Sequence, residues 1–326
     1  TGTWMSSLEH DWRTSVLGPL FRELGAHQRL YRYDPRGYGL SEREEEDGVS
    51  LDTLVTDLET VVDDAGLDRF ALWGSTSASS PTAIAYAARH PERVSHLVLS
   101  APVARGILRR PYAKPDERER FLAFLKFVEH GWGEDNPAFR LVQTTQMFPG
   151  ATPVQIAELN DLYRVSASPR QAARMVRATA EMDVSPLLPR IACPTLALHC
   201  RDALLIPDED ALLIASSIPR ARFVPLETRN YIPLQGEAAF GRLIEEIRAF
   251  LPRDRHDRHE ALAGLTRREH EILDLLARGL GNADIAANLE VTDKTVRNTV
   301  SRIFDKLDVH TRAQAVVLAR KAGLGD

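Results

Sequence analysis

Residues 265–307 read LTRREHEILDLLARGLGNADIAANLEVTDKTVRNTVSRIFDKL, and their apolar spacing predicts three amphipathic helices in quick succession. Thr266 and Glu269 form a T-x-x-E capping box, in which each side chain satisfies a backbone amide at a helix start. Behind them Ile272, Leu273, Leu276 and Leu280 recur at helical spacing. A second helix starts at Asn282, with Ile285, Ala286 and Leu289 as its apolar stripe. Thr292 caps a third, in which Val296, Val300, Ile303 and Leu307 share one face. At about 100° per residue the opposite face carries Lys294, Asn298 and Ser301, flanked by Thr295, Arg297 and Arg302. A short helix, a tight turn and a helix with a polar, basic outer edge make helix-turn-helix geometry, which sets a helix in the major groove of DNA.

Upstream, the periodicity changes. Leu30–Tyr33 reads as a strand running into DPRGYGLS, and residues 42–47 form an acidic loop. A helix follows from Ser50, then a short buried strand Phe70–Trp73, the run GSTSASS, and an alanine-rich helix Pro81–Arg89. Val94–Leu99 is a further strand. Strand and helix in alternation predict a parallel α/β sheet. Residues 105–188 carry helical patterns without a convincing strand and are expected to form a helical lid over the strand ends. Alternation resumes with Thr195–His199, a helix near Glu209–Ser217, the strand Ala221–Leu226 and a last helix Glu237–Leu251. The charged stretch PRDRHDRHE, 252–260, lacks periodicity and reads as a tether; its two histidines are solvated rather than metal ligands. The expected domains are therefore 1–251, a linker 252–260, and 261–326.

Composition is that of a soluble globular protein: 326 residues, 44% hydrophobic, 27% charged, with a net charge of −5. From Arg255 onward 12 basic residues face 11 acidic ones, so the C-terminal part is near neutral and the excess acid lies upstream. Any DNA affinity must come from locally placed cations rather than bulk charge. No apolar run approaches the ~20 residues that span a bilayer, and TGTWMSSLEHDW lacks the pattern of a signal peptide. Cys193 and Cys200 bracket a strand that holds them roughly 23 Å apart. Beyond the ~7 Å that a disulfide spans, they are expected as packing thiols in a reducing, cytoplasmic setting. No cofactor and no metal is expected.

The segments LTRREHEIL, ARGLGNADIAANLEVTDKTVRN and KLDVHTRAQAV resemble the LuxR/FixJ type of DNA-binding domain over its whole length. The resemblance implies that the third helix enters the major groove, with Lys294, Thr295, Arg297, Asn298, Ser301 and Arg302 as DNA-contact candidates. It also implies a fourth helix, Thr311–Ala322, that helps form a dimer. Thr299 departs from the family, where a His is frequent. The segments YDPRGYGLSE, AIAYAARHPERVSHLVLSAP, HGWGEDNPAFR, DVSPLLPRIACPTLALHCRD and RARFVPLETRNYIPL resemble the α/β-hydrolase superfamily, in particular hydrolase-like domains fused to LuxR-type regulators. That implies further strands ahead of TGTWMSSLEHDW.

A hydrolase of this fold needs a nucleophile on a sharp strand-to-helix turn, G-x-S-x-G. Counting back from His90-Pro91 places Ser77 there, with Ser75 and Ser79 at the glycine positions. The register of the general base falls on Tyr231, a phenol with a free pKa near ~10 and a poor proton acceptor at neutral pH. The orienting acid falls on Ala203, with Asp202 one place short. His10, His130 and His199 are the imidazoles that could be recruited instead; each reads first as structural. On these positions the expectation is a non-enzymatic domain with a degenerate triad. It would bind a small molecule near Trp4, Ser77, Ala78 and Tyr231, or mediate dimerisation. The whole then reads as a homodimeric transcriptional regulator that binds double-stranded DNA and no membrane. The alternative is a residual serine esterase or lactonase that also binds DNA.

Overall fold

The computed structural model describes residues 6–42, 48–252, 262, 264–321 and 324–325. Compactness divides the chain into two units, Thr1–Glu23 with Tyr31–Leu251 and Leu24–Leu30 with Pro252–Asp326. In chain order the elements begin with two short helices, α1 (Leu8–Arg13) and α2 (Gly18–Gly25), then α3 (Leu51–Asp64), started by a capping box at Ser50 and Thr53. The sheet follows as β1 (Phe70–Ser75), α4 (Thr76–Arg89) and β2 (Val94–Ser100). Four helices intervene: α5 (Pro115–Gly131), α6 (Ala138–Met147), α7 (Pro153–Ser166) and α8 (Pro169–Glu181). Then come β3 (Thr195–Cys200), α9 (Asp208–Ser217), β4 (Ala221–Leu226) and α10 (Ala238–Phe250).

The four strands pair in parallel in the order β1-β2-β3-β4. Parallel neighbours need crossovers, and α4 and α9 supply two of them. Register sets Ser75 level with Ser100 and Ser100 level with Leu198. The carboxyl ends of three strands thus form one rim, where open α/β sheets gather their ligands. β3 is buried at every residue, as a parallel strand covered on both faces must be. Ile84, Leu97, Leu99 and Ala197 are fully buried in the core between sheet and helices. Each large apolar side chain there contributes about 1.5–3 kcal/mol.

The expected strand Leu30–Tyr33 does not form; the described sheet begins at β1. Its alternating pattern serves another purpose. The Arg32 guanidinium lies 3.6 Å above the Phe21 ring and pairs with buried Asp11. The interval 105–188 holds α5 to α8, a 3-10 turn (Ser185–Arg190) and an isolated bridge between Arg105 and Asp183. The linker expectation at 252–260 falls almost wholly on residues outside those described.

The second unit carries α11 (Arg267–Ala277), α12 (Asn282–Asn288), α13 (Asp293–Lys306) and α14 (Arg312–Lys321). The Thr266–Glu269 box is present, with Thr266 Oγ1 accepting from the Glu269 amide and the Glu269 carboxylate accepting from the Thr266 amide. Ile272, Leu273, Leu276, Ile285, Val296 and Ile303 meet in one apolar core. Glu269 also reaches Lys306 at 2.8 Å, pinning the start of α11 to the end of α13.

Candidate functional site

β1 passes into α4 without a loop, and the turn is made at one residue. Thr76 takes φ +83°, a region that a β-branched residue enters only where its surroundings compel it. Two residues earlier stands Gly74, where an added Cβ would lie 2.7 Å from Ala83 Cβ and 2.9 Å from the Ser79 carbonyl oxygen. Two residues later stands Ala78, also buried. Small, strained and small residues at this spacing make the strand–turn–helix elbow on which hydrolases set a nucleophile. The elbow residue is Thr76, one place before Ser77, so the register counted back from His90-Pro91 is corrected by one. The retained Gly74 is the sequence signal that identifies the correct frame.

Beside the elbow lies a partly open pocket of about 510 Å³, open solvent at its mouth included. Its walls are Leu17, Leu20, Phe21, Trp73, Met147, Phe148, Leu159, Tyr163 and Ile232, and its polar end is Ser75, Thr76 and Tyr231. Ser75 and Thr76 are 2% and 5% exposed, and neither side-chain oxygen reaches a partner in hydrogen-bond geometry. A buried unsatisfied hydroxyl costs about 1–3 kcal/mol. Tyr231 is buried, which pushes its phenol well above the ordinary tyrosine value. The Thr76 side chain and a hydrogen bond from the Ser77 amide oppose that shift, so the phenol faces both groups. Its Thr76 contact is looser than a full hydrogen bond, since Thr76 Oγ1 stays unsatisfied. Of the expected pocket residues, Tyr231 lines this space, Ser77 and Ala78 flank it without lining it, and Trp4 lies outside the described residues.

The remaining triad candidates are dispersed. Ala203 is half-buried in the turn after β3, and Asp202 beside it is exposed. Ser7 Oγ lies 3.0 Å from His10 Nδ1, His130 is exposed, and His199 Nε2 is 2.7 Å from Asp208 Oδ1. No hydrogen bond joins any of the three to Thr76 or Ser77 among the described residues. Both cysteines are buried free thiols; burial raises Cys193 and pushes Cys200 up to about 12, far from thiolate reactivity.

Two buried ion clusters flank the pocket, and long-range pairing hid both from the sequence. Burial pushes the Asp11 carboxyl up to about 6 against the opposing charge of Arg32, and Asp34 adds to the rise. Farther along, Arg110 Nε donates to Asp210 at 3.0 Å and the Tyr112 hydroxyl donates to it at 2.8 Å. These tie the chain leading into α5 to α9.

In the second unit α13 exposes Lys294, Thr295, Arg297, Asn298, Ser301 and Arg302 together. Arg297 pairs with Asp293 one turn earlier, an i,i+4 relation legible in the sequence but not drawn from it. Thr299 is buried, 4% exposed. Its hydroxyl donates to the Thr295 carbonyl at 2.9 Å and accepts from Arg302 at 3.2 Å, so this departure from the family pattern props a surface cation.

Residues 5–235 match the family model described as alpha/beta hydrolase fold, and residues 263–319 match bacterial regulatory proteins of the luxR family. Response regulator protein VraR of Staphylococcus aureus (strain COL) and that of Staphylococcus saprophyticus are each 48% identical over 62 residues. This is 19% of the present chain and 30% of theirs, so the chain spans under a third of the length of those curated relatives. A hydrolase from Oleispira antarctica superposes with a TM-score of 0.61 at 19% identity, covering 76% of this chain and 89% of that one. The enol-lactonase from Burkholderia xenovorans LB400 gives 0.58 at 20%, covering 77% and 88%. An esterase from Exiguobacterium antarcticum gives 0.58 at 22%, covering 67% and 79%. At these identities the likeness is one of fold. It is a fold of enzymes, which overturns the expectation of a non-enzymatic domain drawn from Tyr231 and Ala203. The physical reason is that loss of a triad member still leaves about 10³–10⁴-fold catalysis, supplied by the oxyanion hole and substrate binding.

Proposed function

We propose that this chain, which belongs to the α/β-hydrolase fold family and carries a C-terminal luxR-family DNA-binding domain, is a cytoplasmic transcriptional regulator whose hydrolase-fold domain senses a small molecule. The domains would occupy 1–251 and 261–326, joined by 252–260. The observation that carries the reading is the pocket beside Thr76, apolar-walled and lined by the few polar residues Ser75, Thr76, Tyr163 and Tyr231. Small-molecule sites are concave and mostly apolar, with a few polar groups that fix orientation. The exposed row on α13 supports DNA contact through Lys294, Thr295, Arg297, Asn298, Ser301 and Arg302. A homodimer follows from energetics, because one such module buries too little surface for tight site-specific binding. Compounds that bind the pocket are titrated into an operator-binding assay on the full chain; if none of them shifts DNA affinity, sensing is refuted.

The second reading is an esterase or lactonase that also binds DNA. The strained elbow favours it, since a φ of +83° at a threonine is costly and persists where a fold is organised around that turn. Turnover of p-nitrophenyl esters by the wild type, Thr76→Ala and Ser77→Ala decides it. Hydroxyl-dependent turnover establishes the enzyme; equal rates in all three exclude it.

A further inference from the structure

The outer face of α5 is complementary to itself. We infer that two copies of the chain pair antiparallel through α5, crossing at Ala123, so that the acidic first half of the helix on one copy lies against the basic second half on the other. This rests on the homodimer reading and names a surface for it within the hydrolase-fold unit.

Three observations carry the inference. First, α5 is apolar on both sides. Leu125 and Val128 are buried, while Leu122 and Phe127 on the outer side are 53% and 43% exposed. A helix that is hydrophobic all round is one that is covered all round. The exposed apolar surface continues onto α6, where Phe139 meets Phe127 with ring centroids 5.7 Å apart and Val142 is also exposed. Second, Asp116, Glu119, Ala123, Lys126 and His130 are all exposed and follow one another at spacings of 3, 4, 3 and 4 residues. That spacing draws a single stripe along a helix, the seam by which two helices lie side by side. Its central member, Ala123, is small enough to let two backbones approach. Third, charge is ordered along the stripe: Asp116 and Glu119 precede Ala123, and Lys126 and His130 follow it. Two-fold antiparallel pairing about Ala123 brings Glu119 of one copy to Lys126 of the other, and Asp116 to His130, with each contact made twice. Parallel pairing would instead set acid on acid. Within the helix Asp116 pairs with Arg120 and Lys126 with Glu129, solvated pairs that contribute little and exchange readily for contacts across an interface. Glu119 has no ion-pair partner among the described residues.

Sedimentation of the full chain with Glu119→Lys, Lys126→Glu and the double reversal tests this. Like charges set face to face across an interface are strongly unfavourable, so each single reversal should raise the dimer dissociation constant at least about 10-fold. The double reversal restores unlike charges across the pair and should return the constant to within about 3-fold of wild type. Ala123→Cys, at the crossing point, should give a disulfide-linked dimer on mild oxidation, since Cys193 and Cys200 are buried. Ser216→Cys, exposed on α9, controls for random collision and should stay unlinked. A dimer unchanged by both single reversals, weakening that the double reversal does not rescue, or no cross-link with Ala123→Cys places the contact on another surface or with another partner. Each of these overturns the α5 pairing and spares the homodimer reading. A wild-type chain that is monomeric at every concentration removes that reading as well.

Discussion

Replacing Thr76 with glycine should stabilise the hydrolase-fold unit, an unusual outcome for a buried position at a site. The wild-type residue carries φ +83° with a branched Cβ and a buried hydroxyl that has no partner. Left-handed backbone costs a non-glycine residue about 1–2 kcal/mol, and the unsatisfied hydroxyl about 1–3 kcal/mol. Against this, glycine gives up two buried carbons, Cβ and Cγ2, about 1.6 kcal/mol, and about 0.5–1 kcal/mol of chain entropy. The balance runs from about zero to about 3 kcal/mol in favour of Thr76→Gly. In a unit of this size the upper end of that range raises the melting temperature by about 6–12 °C. Differential scanning calorimetry of the full chain measures it, with Thr76→Ala alongside. Alanine removes the hydroxyl but keeps a Cβ in the left-handed region, so its gain should be smaller than that of glycine. If alanine matches or exceeds glycine, the turn holds no strain and the elbow assignment at Thr76 is wrong.

Lys294→Ala and Arg297→Ala should each weaken operator binding across all sequences and lower the slope of log affinity against log salt by about 0.9, measured by fluorescence anisotropy from 50 to 300 mM salt. Asn298→Ala should instead relax preference at one base position by about 1–3 kcal/mol, read from binding to single-substituted operators. Glu269 is held down at about 2, by Lys306 first and the Thr266 amide next. A depressed acid stabilises the fold above its unfolded value of about 4.3 and loses that contribution as pH falls towards 2. Glu269→Gln, which keeps the capping box, should cost the second unit about 1–2 kcal/mol at pH 7, discounted because Lys306 is partly solvated, and flatten its acid unfolding. Asp11 has the opposite sign: raised to about 6, it contributes stability below its unfolded value and loses it as pH rises through 6. Urea unfolding at pH 5 and pH 7.5 should therefore show a smaller pH difference in Asp11→Asn than in the wild type.

What the sequence disclosed was local. The helix starts at Ser50, Thr266 and Thr292 and the apolar faces of α3 and α11 to α13 are each written within a few turns of chain, and each element formed where its pattern lay. What stayed hidden depends on partners remote in sequence. The Arg110–Asp210 pair spans 100 residues, and the Arg32–Asp11 pair occupies a segment expected as a strand. The elbow falls between these cases. Its frame was misread because counting from His90 assumes a fixed helix length, whereas close packing fixes Gly74: only a residue without a side chain fits against Ala83 and Ser79.

That shift of one residue changes the chemistry of the site. With Thr76 at the elbow, the amide that follows it is that of Ser77, the position from which hydrolases of this fold donate to a developing oxyanion. Here the Tyr231 phenol lies near that amide, which acts against the rise that burial causes in its pKa. An incoming carbonyl must therefore either move the phenol aside to reach the amide or bind without it. Tyr231→Phe separates the two routes. Freed of its occupant, the Ser77 amide becomes available, so a carbonyl ligand that uses it should bind the variant more tightly than the wild type. A ligand that does not use the amide should gain nothing from the change, and that difference shows whether the ligand oxygen reaches the amide.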